Sequence, residues 1–146
     1  MIVPKWLSII LILLALVGFF DSAYLSAEHY LGGTPPCFLG SGCEEVTTSR
    51  YSIMFGIPVA LVGVFYYFIL FFLGVNGLEY TKKRNWDLIF LVSSLGLIFS
   101  LYFVSLQLFI IKAICLYCMI SAITTTLIFV ISLFVRKKFN LNQNEQ

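Results

Sequence analysis

Four cysteines are the chemically reactive minority of this 146-residue chain, and they fall into two pairs. Cys115 and Cys118 form a C-x-x-C. On a helix, residues three apart share a face, so these two can close a tight bridge, and the unpaired amide donors of a helix N-terminus favour a thiolate. A thiol of lowered pKa leaves readily, and exchange through a mixed disulfide then runs quickly. Cys37 and Cys43 lie in Gly-Gly-Thr-Pro-Pro-Cys-Phe-Leu-Gly-Ser-Gly-Cys, where Gly32, Gly33, Pro35, Pro36, Gly40 and Gly42 exclude a regular helix. A bridge between them closes a small ring and gains less loop entropy than a long-range staple. An exposed bridge of that kind suits exchange better than support. Other chemistries compete. Four thiolates can hold structural zinc, but C-x5-C lies outside the usual spacing and thiols on an oxidising face oxidise first. Two static disulfides can pin an outer surface. Unlinked thiols buried as small hydrophobes fit poorly with the Gly-rich loop.

The elements that position these cysteines follow from composition. The chain is 60% hydrophobic and 11% charged, with a mean hydropathy of +0.99. A soluble fold of this size cannot cover that much apolar surface with so few charges, and burial potential is too abundant for a disordered chain. A net charge of +2 with scattered basic residues excludes a nucleic-acid groove. Four apolar stretches approach the roughly 20 residues that span a bilayer: Trp6 to Ala27, Met54 to Val75, Leu88 to Ile110 and Ile114 to Val135. The first resembles a signal peptide behind Lys5, but between Val17 and Tyr30 no two small residues stand two positions apart for cleavage, so it is retained as a helix. The expected architecture is an all-α, multi-pass membrane four-helix bundle, one domain over residues 1–146, with a long outer loop between helices 1 and 2.

Orientation follows from Lys and Arg, which collect in cytoplasmic flanks. Lys5, Lys82, Lys83, Arg84, Arg136, Lys137 and Lys138, seven of the nine, fall on one face, leaving Arg50 and Lys112 on the other. Both termini are then cytoplasmic in the cell membrane, and all four cysteines share the outer face, where disulfides persist. Stripes of small residues suit close helix packing: Gly18, Ser22 and Ser26, Gly56 and Ala60, Gly96 and Ser100. Asp21 is a structural acid or, less readily, a proton relay. His29 reads as a solvated interfacial residue, while Lys112 either favours a thiolate near Cys115 or snorkels. Trp6 and Trp86 read as interface anchors, and the 17% aromatic content as core and lipid-facing packing.

The loop with Cys37 and Cys43, Ser49 six residues after the second cysteine, Phe55-Gly56-Ile57-Pro58 opening the second helix, and Cys115-Leu116-Tyr117-Cys118 on the fourth form one ordered set. In that order and spacing the chain resembles the vitamin K epoxide reductase (VKOR) family, particularly its bacterial and archaeal members. The resemblance implies a quinone-linked thiol oxidase. A reduced thioredoxin-fold partner attacks the loop disulfide at Cys37, Cys43 relays to Cys115, and Cys118 is the thiolate that passes electrons to a quinone of ubiquinone or menaquinone type. Ser49 matches a family Ser or Thr near the quinone, although a turn cap in Thr47-Thr48-Ser49 explains it equally well. Some members carry an aromatic residue where this chain has Ala122. Many bacterial relatives have a fused thioredoxin-like domain, whereas this chain stops shortly after its fourth helix, which places the donor on a separate protein.

The function expected is disulfide generation for exported proteins, with no metal and with membrane lipid as surroundings. Two alternatives share these residues: reduction of a quinone or epoxide with thiols as the electron source, and a non-enzymatic assembly factor stapled by disulfides. The DsbB class performs similar chemistry with its C-x-x-C early in the chain, the reverse of the order here.

Overall fold

The computed structural model describes residues 3–34, 36–37 and 42–145. In chain order it contains α1 (Lys5–Leu31), the short α2 (Gly42–Thr48), a 3-10 turn (Arg50–Ser52), the strands β1 (Ile53–Met54) and β2 (Ile57–Pro58), then α3 (Val59–Glu79) and α4 (Lys83–Ser105). A π-helical segment (Leu106–Ile111) continues α4, and α5 (Leu116–Asn144) completes the chain. Four of these helical stretches are long and apolar enough to cross a bilayer. The 27 residues of α1 reach about 40 Å, against roughly 30 Å of hydrocarbon. The protein is an all-α membrane bundle of four long helices, as the hydropathy predicts.

Turn chemistry moves the start of the second membrane helix from Met54 to Val59. Ile53 pairs with Pro58 and Met54 with Ile57 in an antiparallel hairpin. Its turn residues Phe55 and Gly56 have φ of 53° and 80°, the pair of positive angles that a tight two-residue hairpin requires. Phe55-Gly56-Ile57-Pro58 therefore precedes the helix instead of opening it, and Gly56 shares no stripe with Ala60. Pro58 takes the N-cap position, where its missing N–H costs the helix nothing. A second correction concerns the loop, because the glycines around Cys43 do not exclude a helix. Gly42 is the first residue of α2, where the backbone is needed for close approach, and Cys43 lies within it. Pro35 and Gly40 lie outside the described residues.

In the bundle, α1 packs chiefly on α3 and also on α5, while α4 closes the ring against α5 and α3. Close approach depends on small residues, since lipid provides no hydrophobic drive between helices. Gly18, Ser22 and Ser26 are buried along α1, as their spacing predicts. A Cβ at Gly18 would strike the Tyr67 ring, and one at Gly96 the ring of Tyr66. Adjacent tyrosines on α3 thus seat in hollows of two different helices. The Tyr67 hydroxyl donates to the Ser121 carbonyl at 2.9 Å and meets the Ser121 and Thr125 hydroxyls, tying α3 to α5.

Trp6 is exposed, as an interfacial anchor would be, but Trp86 is buried in the core. The reason is the length of α5, which continues past Val135 and places Val135 and Phe139 in the same core cluster as Trp86 and Val3. The basic residues gather at this end. Arg136 pairs with Asp87 at 3.2 Å, and Lys83 donates to Gln143 at 2.9 Å.

Candidate active site

The four cysteines meet at the other end of the bundle. Cys37 and Cys43 are joined in a disulfide with Cα atoms 5.7 Å apart, while Cys115 and Cys118 are free thiols. Cys43 and Cys115 are both fully buried and belong to one cluster with Val46, against which Cys37, Tyr117 and Cys118 pack. Two contacts bring the loop onto the start of α5, and a third bond fixes the turn of α2 itself. Gly42 lies so close to the Ile114 backbone that a Cβ there would meet the Ile114 carbonyl. The Tyr117 hydroxyl donates to the Pro36 carbonyl at 3.0 Å. The Thr47 hydroxyl donates to the Cys43 carbonyl at 2.7 Å, closing the turn that carries Cys43.

The C-x-x-C is set by the irregular end of α4. After the π-helical turn the chain reverses at Lys112, whose φ of 56° is left-handed, and the Ala113 N–H donates to the Gln107 carbonyl at 3.1 Å. The Gln107 side chain, fully buried, accepts the Cys115 N–H through Oε1 at 3.1 Å. Cys115 is thereby held as the N-cap of α5, with the chain turning helical at Leu116. A hydrogen bond from the Cys118 thiol pulls the Cys115 thiol down to about 7, helped by the backbone amides of Cys118 and Tyr117 and opposed by burial. In this redox state the negative charge of the pair therefore sits on Cys115. The expected titration follows in sign. Ultraviolet thiolate absorbance of the protein with its loop bridge intact should grow in through about pH 7, being lost below it and full above it.

Cys118 differs from the other three in what it faces. It lines a cavity of about 640 Å³ enclosed by α1, α3, α4 and α5 and roofed by the segment from Val46 to Ile53. That is within the range of small-molecule sites, which are largely apolar with a few convergent polar groups. Here the walls include Phe99, Phe103, Leu95 and Ala122, and the polar groups include Asp21, Ser49, Tyr66 and Gln107. The Tyr66 hydroxyl and Gln107 Nε2 are buried donors without a hydrogen-bond partner, which suits the space to an apolar molecule carrying acceptor oxygens, and Asp21 Oδ2 is a buried oxygen likewise without one.

A disulfide packed against two free thiols beside an apolar cavity is the arrangement against which likeness to known proteins can be weighed. The model of the Vitamin K epoxide reductase family matches residues 9–133 of the 146. The chain belongs to the vitamin K epoxide reductase family. As a VKOR-family protein it is a membrane oxidoreductase, and the matched region holds all four cysteines and every wall of the cavity. Ser49 lines that cavity, but its hydroxyl donates to the Val46 carbonyl at 2.8 Å and its carbonyl accepts from Ser52. It is at once a turn-former and part of the wall. His29 is exposed at the margin of the cavity and Lys112 is exposed beyond it. Gln107 escaped sequence reasoning, although a lone amide in the apolar run from Leu88 to Ile110 is itself a signal. Among the described residues no group of three or more His, Cys, Asp or Glu is placed to hold a metal ion.

Proposed function

We propose that this VKOR-family protein oxidises the thiols of a separate thioredoxin-fold partner and delivers the electrons to a membrane quinone of ubiquinone or menaquinone type. Disulfide formation in exported proteins is the process served. The observation that carries this reading is the chain of burial: Cys43 and Cys115 pack together, and Cys118 opens from that cluster onto the cavity.

The chemistry balances with the chain's own residues. A partner thiolate attacks Cys37, the loop S–S bond breaks, and Cys43 leaves as a thiolate. The partner's second thiol then displaces Cys37, completing the partner's disulfide. Cys43 attacks Cys115 of an oxidised Cys115–Cys118 pair and releases Cys118, and Cys37 resolves the bridge by attacking Cys43. The products are a closed loop disulfide and a reduced helix pair, which is the redox state of the structure. A quinone, when bound, supplies a sink for two electrons and two protons. The unpartnered Tyr66 hydroxyl would donate to one of its oxygens, with Ser49 on the same wall, and the aromatic and aliphatic walls would take its apolar ring.

The placement of seven basic residues at the opposite end supports cytoplasmic termini and an external sulfur face. Purified protein, a reduced thioredoxin-fold donor and a soluble quinone analogue test the reading. Donor disulfide and hydroquinone should form one for one. Cysteines that remain oxidised whatever the quinone supply would make the bridges static staples and end the proposal.

A further inference from the structure

Gln107 has half of its amide accounted for. Oε1 accepts the Cys115 N–H at 3.1 Å, while Nε2 is buried without a partner. A buried donor left in that state is costly, and the side chain is fully buried on the cavity wall that also carries Cys118. The π-helical turn that aims it there is a local departure of the kind found at functional sites. With both helix cysteines reduced, the Cys118 thiol has an acceptor of its own, the Cys115 sulfur. That partner is lost when Cys115 enters a disulfide with Cys43. Cys118 is then an anion in mostly apolar surroundings, with the Asp21 carboxyl on the same cavity.

We propose that Gln107 is a positioning residue whose Nε2 donates to the Cys118 sulfur in that charged state while its Oε1 holds the Cys115 amide. One side chain thus fixes the geometry of the first cysteine and stabilises the charge of the second. The occasion on which the charge arises rests on the relay proposed above. The contact itself does not, so the two can fail separately.

The test uses the full chain carrying Cys115→Ala, in which Cys118 is the reactive thiol and the loop bridge is intact. Adding Gln107→Met should slow alkylation of Cys118 by iodoacetamide near neutral pH about tenfold, the usual effect of removing a hydrogen bond to a charged group. Gln107→Leu provides a second apolar replacement should the first fold poorly. In the Cys118→Ala chain, which leaves Cys115 as the reactive thiol, the same substitutions remove only the Oε1 contact with the Cys115 amide and should slow Cys115 by much less than Cys118. An unchanged Cys118 rate would overturn the proposal, and so would equal slowing of both thiols, since that is the signature of a merely structural amide. Failure of the relay reads out elsewhere: non-reducing peptide mapping of the Cys37→Ser chain would then find no Cys43–Cys115 bridge.

Discussion

Cys118→Ser should reduce quinone turnover by a reduced thioredoxin-fold donor to the rate seen without the protein, and Cys115→Ser should do the same. The two losses differ in what accumulates. Without Cys118 the Cys115 thiolate can still attack Cys43, its neighbour in the buried cluster, so the chain should stall with a Cys43–Cys115 bridge and a free Cys37. Serine cannot form the disulfide through which two electrons leave the pair. Without Cys115 the loop disulfide can still be reduced by the donor, but no sulfur lies between Cys43 and the cavity-facing Cys118. Peptide mapping under non-reducing conditions separates the two stalls. Normal turnover in either variant would show that electrons do not pass through the helix pair.

A second large effect is expected from a residue that carries no chemistry. Gly42→Ala adds one carbon where the start of α2 rests on the Ile114 backbone. Backbone cannot rotate aside as a side chain can, so α2 must lift away and carry Cys43 from Cys115. Displacement of a reacting group by an ångström costs on the order of 10²-fold in rate, and a loss of about that size is expected in turnover with the protein donor. Quinone reduction driven by dithiothreitol, which is small enough to approach the helix pair through the cavity that Cys118 lines, should change far less. Equal loss in both assays would mean that the substitution had disturbed the cavity.

Much of this site was legible because its elements obey simple spacing rules. The C-x-x-C and the apolar runs identify four helices with sulfur at one end, and Gly18, Ser22 and Ser26 mark the face of α1 that packs. What escaped depended on tertiary neighbours. Glycine at position 42 reads as a helix breaker along the sequence, yet its purpose is contact with Ile114, which is distant in the chain. Trp86 has the position of an interfacial anchor, yet it is buried in a core cluster that includes Phe139, on the part of α5 beyond Val135. Phe55 breaks the expected helix because turn geometry at Phe55 and Gly56 outweighs hydropathy over a few residues. Gln107 is a single polar letter in an apolar run, and its meaning depends on a π-helical turn that residue spacing does not encode.

The separation of sulfur and basic charge to opposite ends of the bundle has a consequence for how such a protein can change. Arg136, Lys83 and their neighbours are far from the cavity and touch none of its walls. They nevertheless bias which way the helices enter the bilayer, and through that which compartment's redox poise the cysteines meet. On the proposed electron path, insertion and catalysis are therefore not independently mutable: neutral drift in surface lysines is constrained by a path to which those lysines contribute no atom.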